Sequence, residues 1–232
     1  MIHRCAALCL LVCSVPGYAS WSGEAALGYL STSGNTSTQS LNGKFALAYT
    51  ASSWKNELQA LGVYTTDEGD TTAERYAASD KVDWRVTDRD YIFAVVDWEK
   101  DLFGGIRERT SESVGYGRHV LTGPKHLLDL ELGAGARQLQ DQSRERSNEA
   151  IGRFSGKYQC LISETSKFTQ AVKVESGDAN TYAESVSELK LSIIGNLFAS
   201  LSYTVRHNTE VPVGTERTDT STAVNVSYAF GQ

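Results

Sequence analysis

Beyond its N-terminal segment the chain has no long hydrophobic run. The longest later stretch, Tyr91 to Val96, is far too short to cross a bilayer as a helix, which excludes helical membrane spans. Cysteine is almost absent. Three of the four cysteines (Cys5, Cys9 and Cys13) lie near the N-terminus, leaving Cys160 with no intramolecular disulfide partner once that segment is removed. Positive charge is not in excess: the formal net charge is −6, which argues against a nucleic-acid partner. Catalytic and metal signatures are missing as well. There is no Gly-x-Ser-x-Gly elbow, no His-Glu-x-x-His and no cysteine pair, and Asp67-Glu68-Gly69-Asp70 lacks the spacing of a calcium loop. No cofactor is implied.

The first residues carry an export signal. His3 and Arg4 form a basic start, Cys5 to Val15 is apolar, and Pro16-Gly17-Tyr18-Ala19 ends the run with small residues. This pattern predicts a signal peptide over 1–19, cleaved after Ala19, and a single mature domain over 20–232. Val12 is too large for the position before a lipid-modified cysteine, which disfavours a lipoprotein signal at Cys13.

From Trp21 onward the dominant pattern is alternation of apolar and polar residues, broken by short polar stretches. Leu41, Gly43, Phe45, Leu47 and Tyr49 fall on one face of a strand, with Asn42, Lys44, Ala46 and Ala48 on the other. About twelve such segments follow one another, with ten or fourteen as alternatives. Two architectures accommodate them. A soluble β-sandwich buries its apolar faces, whereas an antiparallel transmembrane β-barrel turns them toward lipid and its charges toward a lumen. The small and medium residues of the apolar faces suit a lipid-facing surface, so the expectation is an all-β barrel of the outer-membrane type.

In that barrel, parity assigns Lys44, Lys55, Glu57, Arg75, Lys81, Asp83, Arg85, Asp129, Glu131, Arg137, Glu149, Arg153, Lys173, Glu175 and Glu184 to the lumen. The seventh segment alternates most cleanly, with Leu128, Leu130 and Leu132 opposed to Asp129 and Glu131. Arginine at Leu130 is therefore expected to cost about 2–4 kcal/mol near the midplane, and glutamine at Glu131 far less. Asp80 points toward lipid in this phase. The fifth segment is ambiguous, because Tyr91-Phe93-Val95 and Ile92-Ala94-Val96-Trp98 are both apolar. Trp54, Trp84, Trp98, Tyr64, Tyr76, Tyr116 and Tyr158 sit near segment ends, as interfacial girdles would. Breaks alternate between tight turns and longer charged stretches such as Asp67–Ala73, Gln138–Ser147 and Asn208–Arg217.

Several motifs recur in a recognisable order. Trp21-x-Gly23 is followed by Gly28 and Ser33-Gly34-Asn35-Thr36. Mid-chain come Trp98-Glu99-Lys100-Asp101-Leu102-Phe103, Gly115-Tyr116-Gly117 and Glu131-Leu132-Gly133-Ala134-Gly135-Ala136-Arg137. Together they resemble a bacterial family of unknown function described as salt-induced outer-membrane proteins, over essentially the whole mature chain. The resemblance implies an outer-membrane barrel and supplies no activity, ligand or catalytic residue. The terminal Tyr228 and Phe230 resemble the aromatic signal read by barrel-assembly machinery.

These readings predict a passive, narrow and weakly selective lumen, or a structural envelope component. The expected partners are outer-membrane lipids, lipopolysaccharide and, during biogenesis, the assembly machinery, for a barrel that stands as a monomer. An outer-membrane lipid hydrolase with a Ser/His site is the alternative, resting on His119, while a soluble periplasmic binding module is the third reading. His119 and His126 flank the Thr122–Lys125 turn and read as rim polar residues.

Overall fold

The computed structural model describes residues 19–31, 38–104, 106–141, 144–211 and 214–231. The signal segment and the Ser33–Thr36 turn lie outside them. Twelve antiparallel strands form one closed barrel in which each strand pairs with its sequence neighbours. They are β1 (Ser20–Ser31), β2 (Thr38–Thr50), β3 (Trp54–Asp67), β4 (Asp70–Arg85), β5 (Asp90–Asp101) and β6 (Ile106–Thr122). The second half comprises β7 (His126–Asp141), β8 (Arg146–Ser163), β9 (Ser166–Gly177), β10 (Thr181–Ile194), β11 (Leu197–Asn208) and β12 (Thr218–Phe230). The barrel closes where β1 meets β12, with Gly23 opposite Phe230 and Leu27 opposite Val226. Closure leaves no strand edge, as a chain crossing a bilayer by strands requires.

Burial is inverted relative to a soluble protein. On β7, Leu132 is 66% exposed while Glu131 is 8% exposed and Arg137 1%. This distribution separates a barrel from a sandwich, because a sandwich core would hide the leucines and solvate the charges. The fifth strand takes a definite phase. Phe93 is 0% exposed and Ile92 50%, so Tyr91, Phe93, Val95, Asp97, Glu99 and Asp101 face the lumen. The reason lies on the next strand: a Cβ at Gly117 would fall 2.3 Å from the Tyr91 ring, and one at Gly115 2.8 Å from that of Phe93. Glycine on the inner face gives both rings room to lie against the wall.

On the outer face Trp21 lies 4.6 Å from Tyr49, Tyr49 lies 5.0 Å from Trp54, and Trp54 is in register with Trp84. This aromatic group lines the β1–β4 side of the end that carries the termini. Asp80 does face outward, where its Oδ1 accepts a 2.5 Å hydrogen bond from Asn56 Nδ2.

Two expected loops are corrected. The acidic stretch Asp67–Ala73 is a tight hairpin, since β3 runs to Asp67 and β4 begins at Asp70; Glu68 (φ 51°) and Gly69 (φ 94°) make the turn. Gln138–Ser147 contracts likewise, with β7 continuing to Asp141 and β8 starting at Arg146. Above the hydrocarbon layer the outward face need not be apolar, so strand pairing continues through polar sequence after the alternation has faded. Of the three charged stretches, only Asn208–Arg217 retains a long connection, between Asn208 and Thr218.

Candidate functional site: a lumen bridged at one end

Side chains of the inner face build the site in layers. Toward the end away from the termini, Arg75 on β4, Glu99 and Asp101 on β5, Arg109 on β6, Tyr182 and Glu184 on β10, and Arg206 on β11 converge. Arg75 Nε binds Glu99 Oε1 at 2.7 Å, and its Nη2 lies 3.6 Å from Glu184 Oε2. β4 and β10 are six strands apart in a barrel of twelve, so this second contact crosses the lumen. Arg206 Nη1 lies 3.1 Å from Asp101 Oδ2 and 3.9 Å from Glu99. Arg109 pairs with Glu99, and its guanidinium sits 3.9 Å from the Tyr182 ring centroid. The Tyr182 hydroxyl donates to Glu184 at 3.0 Å. Three arginines thus face three carboxylates in a belt that spans the barrel. Each buried charge needs a partner, and here each has one or more.

Above the belt Arg137 holds Glu149 at 2.6 Å and donates to the Asn180 carbonyl. Asp101 has a second role, because its Oδ1 accepts the Gly104 backbone N–H at 2.8 Å and anchors the loop after β5. Below the belt Arg153 bridges Asp97 (2.7 Å) and Glu175 (2.6 Å), and Lys173 lies 3.7 Å from Asp97. Deeper still, Glu131 pairs with Lys81 and accepts from the Tyr91 hydroxyl (2.8 Å) and Ser155 (2.6 Å), while Lys81 lies 2.9 Å from Asp83.

The mouth at the terminal end is looser. Lys55 meets Glu57 at 2.8 Å, Lys44 lies 3.9 Å from Glu188, Lys190 pairs with Glu24, and Arg85 stands at the rim. A cavity of about 670 Å³ runs from this rim to the belt, where Arg75, Glu99, Arg109, Tyr182 and Glu184 line its far end. A second cavity of about 540 Å³ adjoins it beside the β8–β9 turn.

Of the charges that parity assigns inward, Lys44, Lys55, Glu57, Arg75, Lys81, Asp83, Arg85, Asp129, Glu131, Arg153, Lys173, Glu175 and Glu184 line the larger cavity. Arg137 and Glu149 pair above it. Sequence reasoning missed Asp97, Glu99, Asp101 and Arg109. The first three share parity with Tyr91 and Phe93, so choosing the aromatic face of β5 as the inner one would have found them. His119 Nδ1 lies 2.6 Å from Asp129 at the rim, and its ring is tilted 34° to that of Tyr91 at 4.9 Å. Among the described residues no serine or threonine hydroxyl hydrogen-bonds this histidine, so the pair is no assembled triad. Tyr228 and Phe230 lie on the closing strand, and the Phe230 ring stacks on Phe45 at 6.3 Å.

Residues 25–230 match the family described as "Protein of unknown function, DUF481". The chain is 32% identical over 209 residues to the uncharacterized protein YdiY of Escherichia coli K12, covering 88% of this chain and 81% of that one. Among solved structures it is similar to the NanC porin, with a TM-score of 0.53 at 12% identity over 90% of this chain and 98% of that one. An outer-membrane channel from Pseudomonas putida F1 aligns at a TM-score of 0.49 and 12% identity, covering 94% and 97% of the respective chains. The porin likeness is one of fold.

Proposed function

The chain belongs to the DUF481 family, and we propose that it is an outer-membrane barrel whose lumen is a constricted, weakly selective passage of low conductance without catalytic chemistry. In this reading residues 1–19 direct export and are removed, and 20–232 insert as a monomer among lipids and lipopolysaccharide. Tyr228 and Phe230 serve as the terminal signal for the assembly machinery. The observation that carries the reading is the belt of Arg75, Arg109 and Arg206 against Glu99, Asp101 and Glu184, which bridges opposite walls. Ion selectivity needs rings of one sign, and this ring is balanced. Eight strands give an interior just filled by side chains and sixteen an aqueous channel, so twelve leave room that such a belt can narrow. Planar-bilayer recording tests this directly. The intact protein should give small steps with little cation or anion preference, and Arg109→Ala should enlarge them. Large, strongly selective steps from the intact protein would overturn the constriction.

A further inference from the structure

At the mouth of the terminal end two lysines, Lys157 and Lys167, have no ion-pair partner among the described residues. Lys167 on β9 is in register with Lys190 on β10, both on the inner face. Like charges directly opposite on paired strands repel, and a barrel wall gives them little room to part. Lys190 is buried, covers the Phe198 ring at 4.4 Å and pairs with Glu24. Lys167 is half-buried, and among the described residues no carboxylate lies within ion-pair distance of it. Lys157 on β8 adds a third ammonium to the same wall. Its cross-strand neighbour Asp129 is engaged by His119, and no described carboxylate lies within ion-pair distance of Lys157 either.

The acids around this group are otherwise occupied. Glu24 serves Lys190, Glu57 serves Lys55, and Glu188 faces Lys44. Glu164 sits exposed in the β8–β9 turn, beside the hydroxyls of Ser163 and Ser166. The cavity of about 540 Å³ is lined by Lys167, Lys190, Ser163, Thr165, Ser166 and Ser192, with Glu164 at its turn side, and it shares Glu24 and Glu57 with the main lumen. Its size suits a small solute, and its donors are ammonium and hydroxyl groups, the Ser163 hydroxyl lying 2.6 Å from that of Ser166.

We propose that Lys167 and Lys190, flanked by Lys157 and the Ser163–Ser166 turn, form a binding cradle for the oxyanion of a small solute, a phosphate or a carboxylate. The anion supplies the countercharge that Lys167 lacks beside the already paired Lys190, and takes hydrogen bonds from ammonium and hydroxyl donors. The cradle lies below the belt, so it functions whether or not the lumen conducts, and its failure would leave the proposed passage intact.

Thermal unfolding of the detergent-folded barrel tests the cradle, with inorganic phosphate and acetate each compared with chloride at equal ionic strength. One of the oxyanions should raise the midpoint saturably, and the one with the tighter apparent Kd identifies the class. Lys167→Gln should weaken that binding by about tenfold or more, the scale of one lost charged hydrogen bond. The same variant should melt no lower than the parent in chloride, because it removes a repulsion rather than a pair. A heat-modifiable gel shift verifies that it folds, and Lys44→Gln, outside the cradle, should retain binding within about twofold. No saturable stabilisation by either oxyanion, or equal stabilisation of the parent and Lys167→Gln, would overturn the proposal.

Discussion

The two ends of the lumen place cationic side chains to opposite effect. In the belt, arginines of β4, β6 and β11 meet carboxylates of β5 and β10, and Arg75 reaches across the barrel to Glu184. At the mouth, lysines of β8, β9 and β10 share one wall, and among the described residues only Lys190 of the three has found an acid. Arginine's planar fork engages two acceptors at once and so knits a network, whereas lysine is a point charge on a flexible stem. A wall-to-wall network narrows a passage. A one-sided cluster of cations leaves space, and a preference for what fills it.

The largest expected effect lies at the mouth end, where the barrel closes. Deleting Ala229 to Gln232 removes Phe230 from its pairing with Gly23 and its stacking on Phe45. The truncated chain should fail to accumulate in the outer membrane on immunoblots of fractionated cells, and normal levels there would show that the seam tolerates an open end.

Next comes the belt itself. Glu99→Ala strips a shared acceptor from Arg75 and Arg109, both buried, and should cost about 3–5 kcal/mol. Refolding into lipid vesicles against urea measures this, and a loss below roughly 1 kcal/mol, the scale of an exposed pair, would make the belt no more cohesive than the mouth.

Between the two ends, Leu130→Arg places a cation in the hydrocarbon and should cost about 2–4 kcal/mol. Its neighbour departs from the expectation drawn from alternation alone. Glu131 is a buried acceptor for Lys81, Tyr91 and Ser155, so Glu131→Gln should cost about 1–3 kcal/mol rather than a trivial amount. The same vesicle assay compares the two; a silent Glu131→Gln would place that residue in open water.

The smallest effect belongs to a half-buried pair at the mouth. Lys55→Gln should change stability by about 0–1 kcal/mol, because its partner Glu57 is wetted from the cavity. A loss comparable to that of Glu99→Ala would erase the contrast between the two ends.

Much of this architecture is legible in the residues. Twelve segments with period-two alternation become twelve strands, and the clean phase of β7 is read correctly because only one of its faces is apolar. Where both faces are apolar, as at Tyr91 to Val96, alternation carries no information about direction. The inner face is chosen there by Gly115 and Gly117 of β6, with Gly133 of β7 beyond them, which leave space for the rings. The charged belt was half hidden for the same reason, since Asp97, Glu99 and Asp101 inherit the phase of β5. Loops at Asp67–Ala73 and Gln138–Ser147 read longer from the sequence than they are, because polar residues there pair as strands although the alternation has faded.

By itself the sequence determined that the chain is all-β and which face of most strands is apolar, because these follow from local periodicity along one segment at a time; the count of about twelve, with ten or fourteen open, became twelve when the barrel closed. Only the tertiary structure decided which charges meet. The contact of Arg75 with Glu184 joins residues on opposite walls, and the confrontation of Lys167 with Lys190 depends on the register of two strands. Both are set by how the barrel closes, and closure is a property of the whole sheet that no segment carries alone.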